Sequence, residues 1–358
     1  MGFSEALLGK KNVDGHPFIE AIDPPASLPG GEVRIIGKAL KPPKLARPEV
    51  SFGGKTGNIV VSSEEFVIAR VPDAARSGLV TIQANGHVSN GREMKIAQSI
   101  AENLHPVGNP ALDLEGNIYV TFSGPRGQKV PVSIYKIDTN YNVRPFLSDL
   151  MNATGLAFDA QGQMYVSSRY DGTVYRVAPN GTMSTYAEGM GIATGIAFDR
   201  EQNLYVGDRT GTIWRIARDQ QIFVFATLEP SVAAYHLAFS PNGTLYVTGP
   251  TTSSYDAVYS VDPHGSVTTF YRGLGRPQGL AFDTAGNLYV AASLGGKRGI
   301  VRITPDKKPS LVVAGHDLVG LAFTRTGGVI LATTKPTSGG PDGAVFNLIW
   351  GIQGLPLI

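Results

Sequence analysis

The sequence predicts an all-β protein built from a small β-sandwich followed by a six-bladed β-propeller. Three observations carry that prediction. One strand-turn-strand sentence recurs six times between about residue 107 and the end of the chain. The stretch before the repeats is a series of short alternating strands separated by Pro- and Gly-rich turns. The 358 residues include 44 glycines and 24 prolines, a composition suited to many tight turns and few helices.

The copies read "NPALDLEGNIYVTF" from Asn109, "TGLAFDAQGQMYVSS" from Thr154 and "TGIAFDREQNLYVGD" from Thr194. They continue with "HLAFSPNGTLYVTG" from His236, "QGLAFDTAGNLYVAA" from Gln278 and a worn "VGLAFTRTGGVILAT" from Val319. Anchored on Asp113, Asp159, Asp199, Ser240, Asp283 and Thr324, the spacings are 46, 40, 41, 43 and 41 residues. Each copy is an apolar strand, a short turn with Gly or Asn, and an apolar-Tyr-Val strand. A second half follows, as in "GTVYRVAPNGTMSTY" (172–186) and "GTIWRIARDQQIFVF" (211–225). Its alternation around a turn adds two more strands. Four antiparallel strands every 40 to 46 residues make one propeller blade. The ring has to close, or edge strands would leave backbone groups unpaired. Closure is expected to mix strands from the start and end of the propeller, with "GAVFNLIWGIQGLPLI" supplying the late ones. The once-per-repeat tyrosines Tyr119, Tyr165, Tyr205, Tyr246 and Tyr289 are expected to pack between blades.

Residues 17–97 do not fit the repeat. Their short strands suit a β-sandwich. Residues 1–16 form a lead, 98–106 a connector and 107–358 the propeller.

Composition narrows the partners. Net charge is +2, from 31 basic and 29 acidic residues, with no basic stripe of the kind nucleic acid requires. There is no cysteine, so disulfides and thiolate metal sites are excluded. No apolar run approaches a membrane span. The N-terminus lacks the basic and apolar segments of a secretory signal. The expectation is a cytoplasmic monomer if the chain is complete, and an extracellular or periplasmic one if a leader was removed.

Two segments resemble known families. Through "IDPPASLPGGEVRIIGKAL", "VSFGG", "VP" at 71–72 and "GLVTIQANG", residues 17–97 resemble an IPT/TIG domain, which implies an immunoglobulin-like fold. Through the repeated "GLAFD…GNLYV", residues 107–358 resemble NHL-repeat and gluconolactonase-like (SMP-30-like) propellers. That fold hosts enzymes and binders alike.

The gluconolactonase resemblance implies a ring of Glu, Asn and Asp just before each repeat, holding a divalent cation that polarises a lactone and activates water. The corresponding residues here are Gly108, Thr154, Thr194, Tyr235, Gln278 and Val319. None is a carboxylate. The expectation is no cofactor, with a weakly bound divalent cation such as Ca²⁺ as the alternative. Asn109 and Asn152 lie near the ring but offset from it.

His236 occupies the glycine position of its copy and is the candidate general base, with Asp208 as its carboxylate. Some propeller lyases of this resemblance use such a histidine. Its structural alternative is a hydrogen bond to a neighbouring blade. His316 is expected on the surface or rim in the loop before the sixth copy, His16, His87, His105 and His264 fall in apparent turns or connectors, and no pair has metal-ligand spacing. Loops on one face carry Arg126, Arg169, Arg209 and Arg298, candidates to meet an anionic or sugar-like ligand or else to form salt bridges within blades. Thr154, Thr194, Tyr235, Gln278, Arg169, Arg209, Asn109 and Asn152 are therefore the expected ligand-binding set. Two functions stay open: a non-catalytic propeller binding a small molecule or protein on its top face, and a lactonase-like hydrolase or lyase acting at the channel mouth.

Overall fold

The computed structural model describes residues 15–42, 47–252, 256–334 and 343–355. All regular structure among them is β-strand and short turn, with no helix. The chain divides into two compact units, Met1–Ala97 and Gln98–Ile358.

In the N-terminal unit, Glu32–Lys38 pairs with Phe18–Asp23 on one side and Phe66–Arg70 on the other. Lys55–Ser62 is shared. Its later residues pair with Phe66–Arg70 and its first with Glu49–Phe52, which continues to Gly78–Ala84 and Arg92–Ile96. The strands alternate as a half-buried sheet should: Val33 and Ile35 on one, Val80 and Ile82 on another, face a core containing Ile19, Phe52 and Met94.

The C-terminal unit is a propeller. Five of its sheets are separate and four-stranded, and four of these are antiparallel meanders of consecutive strands. One runs through Ala153–Phe158, Met164–Ser168, Thr173–Val177 and Met183–Ala187, and the next through Ala193–Phe198, Leu204–Asp208, Thr212–Ile216 and Ile222–Thr227. Leu280–Phe282, Leu288–Leu294, Lys297–Ile303 and Pro309–Ala314 pair in the same consecutive antiparallel order.

The ring closes with strands from both ends of the unit. Gln98–Leu104 pairs with Gly343–Ile349, which continues to Gly328–Thr333 and Leu318–Phe323. The mixed closure follows the expectation, but the assignment of 98–106 as a connector does not hold. "QSIAENL" is a full strand of the closing sheet. Its inward residues Ala101 and Leu104 are buried in the propeller core beside Ile118 and Val345. It lacks the repeat's wording because it contributes only an outer strand.

The repeat's vocabulary has a physical explanation. Asp159 Oδ1 accepts from the backbone N–H of Gln161 and Gln163, both at 2.9 Å, and so caps the turn. Its Oδ2 accepts from Tyr165 Oη at 3.2 Å. Asp113 holds Tyr119 the same way, at 3.0 Å. Where the repeat is worn, a hydroxyl replaces the carboxylate: Thr324 Oγ1 accepts from Gly328 N–H at 2.9 Å. Each tyrosine ring stands edge-on to the phenylalanine of the next repeat. The centroids are 5.3 Å apart for Tyr119–Phe158, 5.0 Å for Tyr165–Phe198 and Tyr205–Phe239, and 4.9 Å for Tyr246–Phe282. The expected packing of these tyrosines between blades is what the structure has. "F" and "Y" recur because each pair joins one blade to its neighbour.

Candidate functional site

The innermost strands crowd the propeller axis, which decides what its mouth can hold. Gly155, Gly195, Gly279 and Gly320 occupy equivalent positions on four of them. A Cβ at Gly155 would collide with the Thr194 carbonyl oxygen, one at Gly195 with that of Tyr235, and one at Gly320 with that of Gly108. Only two repeats carry a side chain here, Asn109 and His236.

Asn109 turns into the wall. Its Nδ2 donates to Leu280 O at 3.0 Å and its Oδ1 accepts from Leu321 N–H at 3.1 Å, tying two neighbouring inner strands together. His236 stays in the channel, with its Cε1 3.8 Å from where a Cβ on Gly108 would stand. It is 4% exposed. Among the described residues neither ring nitrogen has a hydrogen-bond partner, so the expected bond to a neighbouring blade is not made. Burial pulls the imidazole pKa down to about 4, leaving it neutral at pH 7. The cavity it shares with Thr154, Gly195 and Tyr235 holds about 30 Å³, room for a water molecule rather than a substrate.

The expected ring of ligand-binding residues does not converge on this cavity with free donors. Thr154 Oγ1 donates to Asn152 O at 3.0 Å. Thr194 Oγ1 donates to Gly207 O at 2.8 Å and accepts from Tyr235 N–H at 3.1 Å. Tyr235 Oη donates to Glu229 O, and burial pushes its phenol pKa up. Gln278 is half-buried and lines a different cavity of about 310 Å³, beside Arg276, Arg298 and Asp317. The hydroxyls of Thr154 and Tyr235 bond backbone carbonyls a few residues away, and that of Thr194 ties the second strand of its own repeat to the Tyr235 amide of the next.

Asp208 is not paired with His236. Its Oδ1 accepts from Ile192 N–H and Thr210 N–H, both at 3.0 Å, and its Oδ2 from Thr210 Oγ1 at 2.6 Å. It holds the loop after its strand, and burial is the sole cause of the His236 shift. The expected histidine–carboxylate couple is therefore absent. Asp256, which the sequence reading missed, has the same kind of role. It accepts from Thr251 N–H at 2.9 Å and Arg276 N–H at 3.2 Å. No spacing signal marks it, since it lies outside the repeated sentence.

Asn152 is also structural. It is fully buried, with Oδ1 accepting from Gly127 N–H at 2.7 Å and Nδ2 donating to Gly124 O and Pro125 O at 3.0 Å each. It thereby shapes the loop that carries Arg126.

The arginines divide. Arg298 lies 3.9 Å from Asp317. Arg169 and Arg209 each follow the second strand of consecutive repeats, on one face. Arg169 Nη2 donates to Gly124 O at 2.6 Å, and Arg209 Nη2 to Val232 O at 2.9 Å. The loops "SGPRGQKVP" (123–131), "PTTSSYD" (250–256) and "KPTSGGPDG" (335–343) belong to the same expected face; 253–255 and 335–342 lie outside the described residues.

A metal site finds no support in the donor set. The ring positions offer no carboxylate, and the amides of Asn109 and Asn152 already bond the fold, so these residues do not fit a hard divalent cation. In the N-terminal unit, His16 and His87 stack with centroids 3.8 Å apart, a pairing their distance in sequence conceals. No third His, Cys, Asp or Glu joins them into a metal-binding group among the described residues.

No family model matches the chain, and no curated protein matches it in sequence. Solved structures do match in fold. A gluconolactonase-like protein is 16% identical with a TM-score of 0.58, covering 73% of this chain and 94% of its own. An auxiliary nutrient binding protein from Bacteroides ovatus is 11% identical with a TM-score of 0.55, covering 93% of this chain and 97% of its own. A catalytically inactive virginiamycin B lyase from Staphylococcus aureus, solved with quinupristin, is 13% identical with a TM-score of 0.51, covering 82% and 94%. These likenesses establish a propeller fold shared with enzymes and a binding protein.

Proposed function

We propose that this chain is a non-catalytic binding propeller that takes a small molecule or a protein partner on the rim formed by the loops after the second strands. In this reading the C-terminal unit has six blades, counting Leu280–Ala314 as one, and the N-terminal unit is an immunoglobulin-like accessory domain. The observation that carries it is the division of labour at the mouth. Thr154, Thr194, Tyr235, Asn109, Asn152 and Asp208 all bond the fold itself. The rim above them keeps charged groups whose donors are only partly engaged. Loops on a rigid scaffold are where such groups meet ligands.

A second reading, a lyase or hydrolase acting through His236, has one observation in its favour: an unpartnered imidazole at the channel mouth, in a fold that also hosts a lyase. A base with a pKa near 4 and no carboxylate behind it is weak at neutral pH, and the cavity beside it is too small for a substrate.

The test is His236→Ala, assayed with chelator-treated protein against a lactone panel. The binding reading expects no turnover from either form and no change in melting temperature on chelation, since loss of a cation bound only to the folded state would lower it. Turnover abolished by His236→Ala in a folded variant would establish the enzyme. Turnover abolished by chelator would establish a metal-dependent lactonase.

A further inference from the structure

Arg126, Arg169 and Arg209 come from the second-strand loops of three consecutive repeats, and their surroundings leave them without counter-charge. Asn152 fixes the loop 124–127, and Arg169 Nη2 donates to Gly124 O of that same loop at 2.6 Å. Arg126 is therefore held two residues from an atom that Arg169 touches. Arg209 reaches the other way, donating to Ser231 O at 3.3 Å and Val232 O at 2.9 Å. Among the described residues no carboxylate pairs with any of the three, although ion pairs form elsewhere, as at Arg298 and Asp317.

Two further observations fit an anionic ligand. Arg169 Nε is buried and makes no hydrogen bond, a donor that burial alone makes costly. Burial, then the charges of Arg209 and Arg126, hold the Arg169 guanidinium below its ordinary pKa, and no acid acts on it in the opposite direction. Beside them Tyr170 is 47% exposed, with its Cε2 3.5 Å from where a Cβ on Gly127 would stand. An arginine arc next to an open aromatic face matches a ring compound that carries an oxyanion.

We propose that Arg169, Arg209 and Arg126 bind the carboxylate or sulfate group of a small ring-shaped ligand, of which an acidic sugar is the simplest, with Tyr170 against its apolar face. This rests on the rim-binding reading and adds the chemistry of the ligand. Arg298 is excluded from the arc by its own acid.

The experiment is calorimetric titration of the full chain at low ionic strength with D-glucuronate, inorganic sulfate and, as the uncharged match, D-glucose. Wild type is compared with Arg169→Gln, Arg209→Gln and Arg298→Gln, each first shown to melt cooperatively. Saturable binding of glucuronate is expected, weakened by salt, with no binding of glucose. Arg169→Gln or Arg209→Gln should weaken it by about tenfold or more, and Arg298→Gln should leave it unchanged. Sulfate bound by the same arginines, without glucuronate, supports the oxyanion arc and selects the tetrahedral group. The proposal is overturned if neither anion binds up to about 10 mM. It is equally overturned if binding survives both arc variants, or if Arg298→Gln weakens it as much. If glucose binds as well as glucuronate and only Tyr170→Ala abolishes that, the rim remains the binding face and its anion chemistry falls.

Discussion

Tyr289 Oη donates to Asp283 Oδ2 across 3.1 Å, and the same carboxylate oxygen accepts from Asn287 Nδ2 at 2.7 Å. The tyrosine ring meanwhile stands edge-on to Phe323 of the next repeat, 5.2 Å between centroids. One residue thus closes the turn within its own repeat and joins that repeat to the next. Burial and the Asp283 carboxylate both push the phenol pKa up, so it stays a donor at any ordinary pH. Tyr289→Phe keeps the packing and removes the donor, and should destabilise by about 1 kcal/mol, because Asn287 still serves the carboxylate. Tyr289→Ala also empties a buried site and should cost about 3–5 kcal/mol. Urea unfolding of the two variants checks the split; equal losses would mean the hydrogen bond, not the interface, carries the residue.

The repeat made this part of the fold legible. Asp, Tyr and Phe recur because each is needed once per blade for a contact internal to the repeat or to its successor. The closing strand was not legible, since Gln98–Leu104 pairs with Gly343–Ile349 from the far end of the chain and needs only to alternate. The candidate site was least legible. Thr154, Thr194 and Asp208 sit where a reactive group would sit in a propeller, and residue type alone does not show that their donors and acceptors bond the backbone. The arginines were visible as a loop set. Their division into an arc and the Arg298–Asp317 pair depends on side-chain placement.

Closure sets where the chain can be cut. A fragment beginning at Gln98 keeps the outer strand of the closing sheet, whereas one beginning at Val107 exposes Val345 and Ile330, which pack against Ala101 and Leu104. The first should melt cooperatively on its own. The second should lose several kcal/mol, through an unpaired edge and lost apolar burial, and aggregate readily. Calorimetry of both fragments decides. Equal melting of the two would mean that Gln98–Leu104 adds nothing to closure.

His236 should give stability a pH dependence of its own. Its pKa is about 4 in the fold and near 6.5 when unfolded. Above pH 6.5 both states hold it neutral and it contributes no dependence. As pH falls from 6.5 towards 4 the unfolded chain takes up the proton and the folded one does not, so stability drops. The loss should reach roughly 2–3 kcal/mol near pH 4.5 and level off below pH 4. His236→Gln removes the titration while other groups continue to titrate. The difference between wild-type and variant unfolding free energies, followed from pH 7.5 to 4.5, isolates it. Parallel curves would mean the imidazole is not buried neutral.

Asn152 is the residue on which the arginine loop depends. It adopts a left-handed backbone at φ 50° and bonds three backbone groups of residues 124–127 from a fully buried side chain. Asn152→Ala removes those bonds and strains the backbone, for a loss of about 2–4 kcal/mol. Asn152→Gly loses the same bonds but tolerates the left-handed conformation, so it should be the milder of the two by about 1 kcal/mol. Both should expose the Gly127 amide, now held at 2.7 Å by Asn152 Oδ1, to faster hydrogen exchange. Both should also weaken anion binding at the rim, because Arg126 and the Gly124 carbonyl that anchors Arg169 would lose their support. A Gly127 amide that stays protected in both variants would show that the loop is held by other contacts and that Asn152 does not position the arc.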